Sequence, residues 1–325
     1  MAVYNRIYTH KKWEEVNKYN KNLLEDYLLQ CRAEGKSEGS IKQYKNDARI
    51  ILIYILEVLD NKPLYKLNRK AFRNLVLWMQ DNGLSSARIN RMLSTSRNLL
   101  NFGLDDDDYS DEFSDSKANP SRIKGIQKEK VRDIVFLTEE EVRIIYDCLI
   151  EKERYSEALL CGLMYDSCSR RNEVFQLKRY DISHETSQAS VVVRGKRGKK
   201  YKPVYNDLTK NAYKLLEESR EDTGDHLWLT KYKTEASYET LYSQVVSWRK
   251  ILEKKAGIIK EFNPHSFRHS GANNLENGTH YICEKAGRKF SIMEIQKLMN
   301  HSDLSTTQSY LEDRTEEEVA NTFGI

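Results

Sequence analysis

Apolar residues recur at helical spacing along most of this chain, and only one stretch alternates as a strand would. Leu23, Leu24, Tyr27 and Leu28 share one helix face, and Tyr44, Ile51, Tyr54, Ile55 and Val58 share another. Ser40 is placed to cap that second helix. Phe72, Leu75, Val76 and Met79 predict a third helix, closed at Asn82-Gly83. Ser85 or Ser86 opens a fourth, running to about Phe102. Thr138-Glu139-Glu140-Glu141 reads as a capping box, in which the threonine and Glu141 satisfy each other's free amides. Helical patterns continue from there to about Leu177. Ser190 to Arg194 and Tyr201 to Tyr205 then flank a basic tip and predict a β-hairpin. Helical spacing returns from about Thr209 to Ile325.

This pattern predicts a mainly α protein with a small antiparallel sheet. It divides into a short arm over residues 1–15, a helical domain over 16–104, a charged linker over 105–135 and a second domain over 136–325. The linker assignment rests on charge. Asp105 to Asp108, Asp111, Glu112 and Asp115 form an acidic block, and Lys117 to Arg132 then carries six basic residues against one acid.

Composition narrows the class. The chain has 325 residues, a net charge of +4 and 14 Gly with 4 Pro, which suits a helix-rich globular protein with weak attraction to polyanions. Five scattered cysteines with no C-x-x-C spacing argue against a disulfide framework or a zinc site and for a reducing compartment. The first fifteen residues lack the apolar run of a secretion signal, and Ile50 to Leu56 is too short to span a membrane. A cytoplasmic protein is expected, with no membrane partner.

Single motifs carry little chemistry. An Arg–Glu pair such as Arg170 and Glu173 is most often a surface salt bridge, and a lone His-x-x-Arg is usually structural. The hairpin tip, Arg194 to Lys202, holds six basic residues but fails as a P-loop, because Gly198-Lys199 is followed by another lysine. A solvated turn and a lysine tip reaching into a DNA groove both fit it.

Their order says more. Arg170, Glu173 and Leu177, then Lys196, Pro264-His265-Ser266-Phe267-Arg268-His269, and finally His301-Ser302-Asp303-Leu304-Ser305-Thr306-Thr307-Gln308-Ser309-Tyr310 together resemble the tyrosine recombinase (phage integrase) family. Gly83-Leu84-Ser85 with Ile89-Asn90-Arg91 is similar to that family's core-binding domain. Cys168 and Asn300 stand where the family usually has glycine, and residues 280–289 look like an insertion of about ten residues.

The resemblance implies a helical, SAM-like core-binding domain followed by a catalytic domain that cleaves and rejoins DNA through a 3′-phosphotyrosine. Arg170, Arg268 and His301 would clamp the scissile phosphate. Lys196 would protonate the leaving oxygen, His265 would assist at the phenol, and Tyr310 would be the nucleophile. In-line attack on a phosphodiester builds charge on its non-bridging oxygens, and guanidiniums bind such oxygens bidentately. No cofactor and no metal are implied. Double-stranded DNA would be the partner, with a homotetramer on two DNA sites, accessory DNA-bending or directionality proteins, and a C-terminal exchange segment at about 315–325. Lys42, Lys45, Arg88, Arg91 and Arg97 would face DNA, mainly at phosphates. A type IB topoisomerase or a catalytically silent DNA-binding regulator are the alternatives.

Overall fold

A computed structural model describes residues 6–117, 119–127, 133–195 and 200–312. The chain divides into two compact units, Met1–Arg132 and Asp133–Ile325.

The first unit is helical. It contains α1 (His10–Glu15), α2 (Lys18–Ala33), α3 (Glu38–Val58), α4 (Arg69–Asp81), α5 (Ser86–Asp105) and α6 (Ser110–Ser114). Leu23, Leu24, Ile51, Ile55, Phe72, Leu75 and Met79 all lie in its core, as their spacing predicted. Ser85 caps α5 and Asn82 ends α4. The cap of α3 is Ser37 rather than Ser40. Its hydroxyl accepts from the Ser40 amide and starts the helix three residues earlier than expected. Val58, at the far end of α3, is exposed.

The stretch expected as a linker is largely folded where it is described. Tyr109 and Phe113, four residues apart within the acidic run, are buried against α5, and Tyr109 Oη donates to Asp26 at 2.5 Å. Two aromatic residues on one helical face outweigh the charge around them, because the carboxylates can stay in solvent while the rings leave it. The expected arm also packs in where it is described, with Ile7 buried.

The second unit contains α7 (Glu139–Glu151), α8 (Tyr155–Asp166), α9 (Arg171–Phe175), β1 (Val193–Arg194), β2 (Lys200–Tyr201), α10 (Asp207–Glu218), α11 (Tyr238–Ser247), α12 (Arg249–Ala256), α13 (Pro264–Asn277), α14 (Tyr281–Ala286), α15 (Ile292–Leu298) and α16 (Leu304–Gln308). The Thr138–Glu141 capping box is present. Residues 156–166 of α8 are buried on all sides, which makes it the central helix of this unit. The hairpin forms in the antiparallel register Val193↔Tyr201 and Arg194↔Lys200, and pairing resumes at Gln188↔Val204.

The 280–289 segment braces α8. Tyr281 Oη donates to the buried Asp166 carboxylate at 2.6 Å, where the Thr209 hydroxyl also donates at 2.7 Å. His280 stacks on Tyr165 with centroids 4.2 Å apart, and Arg143 lies over the Tyr281 ring. These contacts fasten the end of α8 that leads into the turn at Cys168.

Candidate active site

Three pieces of the second unit meet at one cavity of about 460 Å³. It is lined by Arg170, Glu173, His265, His301 and Tyr310, with Gly195 of the hairpin at its edge. The first piece is the turn after α8. Cys168 takes φ 49° and Asn300, in the third piece, takes φ 52°. Both therefore occupy the left-handed region in which glycine is cheapest. Arg170 then caps α9. Its backbone amide donates to Glu173 Oε2 at 2.6 Å and its guanidinium to Oε1 at 2.9 Å.

The second piece is α13. Asn263 caps it and Pro264 opens it. His265, Arg268 and His269 then project from one face at three- and four-residue spacing. Arg268 is 0% exposed. Its guanidinium donates to the Cys168 carbonyl, to the Met299 carbonyl at 3.0 Å and to His301 Nε2 at 2.7 Å. Gly271, one turn on, sits so close to the first piece that a Cβ there would lie 2.6 Å from the Tyr165 carbonyl and 2.8 Å from Cys168 Sγ.

The third piece runs from Asn300 to Tyr310. His301 Nε2 lies between guanidinium nitrogens of Arg170, at 3.3 Å, and Arg268. Guanidiniums only donate, so Nε2 accepts and the proton sits on Nδ1, which donates to Thr307 Oγ1 at 3.0 Å. Tyr310 is 9% exposed. The rings of His265, His269 and His301 stand 5.2, 4.2 and 5.0 Å from its own, and the Arg268 guanidinium carbon 5.1 Å.

One carboxylate stands between two guanidiniums in the cluster, which leaves it a net positive charge. Glu173, nearly wholly buried, pairs with Arg170, lies 3.8 Å from Arg268 and accepts from Tyr201 Oη at 2.7 Å. Burial acts to lower the Arg170 pKa, but Glu173 and the nearby Tyr310 phenol outweigh it and raise it. Burial, reinforced by Arg170, lowers that of Arg268. Desolvation, then His269, Arg268 and Arg170, push His265 down to about 4. One edge of His265 still opens onto the cavity, so it is a neutral imidazole that a ligand can reach. Burial likewise lowers His269, although its Nδ1–H donates to the Tyr310 carbonyl at 3.1 Å.

The spacing in the sequence thus brings five expected residues together: Arg170, His265, Arg268, His301 and Tyr310. Lys196 follows Gly195 but lies outside the described residues, as does the expected exchange segment at about 315–325. Glu173, Tyr201, Thr307 and His269 also belong to the cluster. Glu173, His269 and Thr307 were visible in the quoted motifs, but Tyr201 had no signal beyond lying beside the hairpin tip.

Among the helical-domain candidates, Lys42 and Lys45 are exposed, and Arg88 Nε is buried without a partner among the described residues. Arg91 holds Asp47 at 2.7 and 3.0 Å, and Arg97 donates to the Ile123 carbonyl at 2.7 Å. Among the described residues no cluster of three His, Cys, Asp or Glu could hold a metal, and no helix is long and apolar enough to cross a membrane.

The phage integrase family profile matches residues 135–317, more than half of the chain. This chain belongs to the phage integrase family of tyrosine recombinases. It is 29% identical over 293 residues to tyrosine recombinase XerA of Pyrococcus furiosus, covering 89% of this chain and 88% of that one. A lambda integrase dimer bound to a COC′ core site shares the fold with a TM-score of 0.65 at 17% identity, covering 90% of this chain and 95% of that one. A lambda integrase tetramer bound to a Holliday junction is similar with a TM-score of 0.62 at 16% identity, covering 90% and 77%.

Proposed function

We propose that this chain is a site-specific DNA recombinase that cuts and rejoins strands through Tyr310. The observation that carries the reading is the Tyr310 ring, enclosed by Arg268, His265, His269 and His301 at the wall of a cavity that Arg170 also lines.

The scissile phosphate enters this cavity, and Arg170 and Arg268 face its non-bridging oxygens. In the free chain His301 Nε2 accepts from both guanidiniums. Binding the dianionic transition state draws those donors onto oxygen, and a proton taken from water onto the freed Nε2 makes His301 a donor in turn, so charge is stabilised where it develops. Tyr310 Oη attacks phosphorus while the bond to the 5′-oxygen breaks. The phenolic proton passes to neutral His265, and Lys196 gives a proton to the departing 5′-oxygen. The 3′-phosphotyrosine conserves one phosphoester bond, so an incoming 5′-hydroxyl reverses the step and no ATP is consumed. His269 fixes the carbonyl and the ring plane of Tyr310 and so positions the nucleophile.

Duplex DNA is the partner, and four copies on two sites are the working assembly, a reading supported by the similar lambda integrase tetramer bound to a Holliday junction. Accessory DNA-bending or directionality proteins would act on that assembly, and the reaction would take place in the cytoplasm.

Strand exchange tests this reading. Duplexes carrying the junction sequences of the element that encodes the chain are incubated with it, and recombinant products are scored beside relaxation of a supercoiled plasmid lacking those sequences. Exchange confined to the junction duplexes is expected. Relaxation of any plasmid without exchange would identify a topoisomerase instead, and binding without either product a silent regulator.

A further inference from the structure

The first unit contains a narrow cleft of about 190 Å³ between α4 and the segment after Pro120. Four cations line it: Arg69 and Arg73 from α4, and Arg122 and Lys124 from the segment. No carboxylate lines it, and none of the four is in an ion pair with another described residue. All four are exposed, over a floor that includes Phe72 and Ile123, both buried.

The cleft is built rather than incidental. Arg97 donates to the Ile123 carbonyl at 2.7 Å. Asn90 donates to the Ile126 carbonyl at 2.9 Å and accepts from the Ile126 amide at 2.8 Å. A Cβ on Gly125 would lie 2.4 Å from Asn90 Oδ1, so a larger residue there would displace the amide that holds the segment. Side chains of α5 therefore hold Arg122 and Lys124 opposite Arg69 and Arg73. The latter two stand one turn apart on α4, with Cβ atoms about 6 Å from each other. Four like charges held on facing walls repel one another, and a fixed polyanion relieves that repulsion.

We propose that this cleft is a binding site for the phosphates of one strand of duplex DNA. It adds a surface to the exposed Lys42 and Lys45 on α3, and it assigns Arg97 to building the cleft instead of touching DNA. Guanidiniums on one wall can grip phosphate oxygens bidentately, and none of the four is directed at base edges by this arrangement. The site therefore supplies affinity without sequence choice. The inference rests on the reading of the chain as a DNA-acting protein.

The test is fluorescence anisotropy of the full chain on labelled duplexes of two unrelated sequences, across a salt series. Each phosphate contact contributes about 0.9 to the slope of log K against log salt. The variant R69Q/R73Q is expected to flatten that slope by about 2, to weaken both duplexes alike and not to lower the melting temperature. R122Q/K124Q, on the opposite wall, should do the same, while R69K/R73K should keep most of the slope. If the wild-type chain binds duplex DNA and both glutamine variants keep its slope, the cleft is not a phosphate site. Loss on one sequence only would also overturn the proposal, since it would mean base reading. If the wild-type chain binds neither duplex at low salt, the recombinase reading falls with it.

Discussion

Arg91 was expected to contact DNA, yet its guanidinium is engaged with Asp47, and replacing it by alanine separates the two roles. Asp47 is 0% exposed and receives two charged hydrogen bonds from Arg91, with a third from Gln43 at 3.1 Å. Removing one partner of a buried pair costs about 3–5 kcal/mol, because the remaining charge stays desolvated. The Arg91 side chain is 44% exposed and Gln43 remains, so water can reach the vacated site. That lowers the expected loss for Arg91→Ala to roughly 2–3 kcal/mol. At about 2–5 °C per kcal/mol for a unit of this size, the transition of the first unit should fall by roughly 4–15 °C. Differential scanning calorimetry reads it, and Asp47→Asn supplies the second arm of a double-mutant cycle. Neutralising the buried carboxylate should restore part of the loss, so the double variant should be more stable than Arg91→Ala alone. An Arg91→Ala chain that melts within 1 °C of wild type but binds DNA more weakly would refute the reasoning and return Arg91 to the phosphate contacts.

Three further outcomes follow from the second unit. Burial holds His280 down to about 3, below its ordinary 6.5, so the folded state takes up its proton later than the unfolded chain does. Stability is then lost as pH falls from about 6.5 towards 3, at up to roughly 1.4 kcal/mol per pH unit. His280→Asn keeps a side chain able to cap α14 but removes the titration, and urea titrations at several pH values should show a slope shallower by about one proton. Gly271→Ala would press a methyl against the Tyr165 carbonyl and Cys168 Sγ. It should cost about 2–3 kcal/mol and disturb the Cys168 carbonyl that holds Arg268; an alanine variant with wild-type urea midpoint and activity would contradict this packing. His269→Leu removes the hydrogen bond to the Tyr310 carbonyl. Single-turnover cleavage should slow about tenfold with DNA affinity unchanged; a loss of affinity at unchanged rate would deny His269 its positioning role.

Much of this was legible beforehand because the signals were local. A capping box or a serine before an apolar run acts within one turn, and Thr138 and Ser85 both behave as read. The order of Arg170, His265, Arg268, His301 and Tyr310 marked the cavity because each motif is short and sits on a helix end or turn. What stayed hidden depends on distant partners. Nothing near Arg91 in the chain announces Asp47, 44 residues away, and nothing beside Tyr201 announces Glu173. The acidic run misled for a related reason: charge density outweighed Tyr109 and Phe113 until α5 was seen beneath them. The 280–289 insertion gave no pattern at all, since its role lies in Tyr281 reaching Asp166.

The central claim is that Tyr310, alone among the 20 tyrosines of the chain, becomes joined to DNA. It is tested most directly by incubating the chain with nicked suicide forms of the duplexes that support strand exchange, so that the cleaved strand cannot be religated. The adduct is then digested and the nucleotide-bearing peptide mapped by mass spectrometry. The account predicts a single modified peptide containing Tyr310, linked through a 3′-phosphate, and no adduct from Tyr310→Phe. A nucleotide on any other residue, or an adduct that survives the Tyr310→Phe substitution, would contradict it.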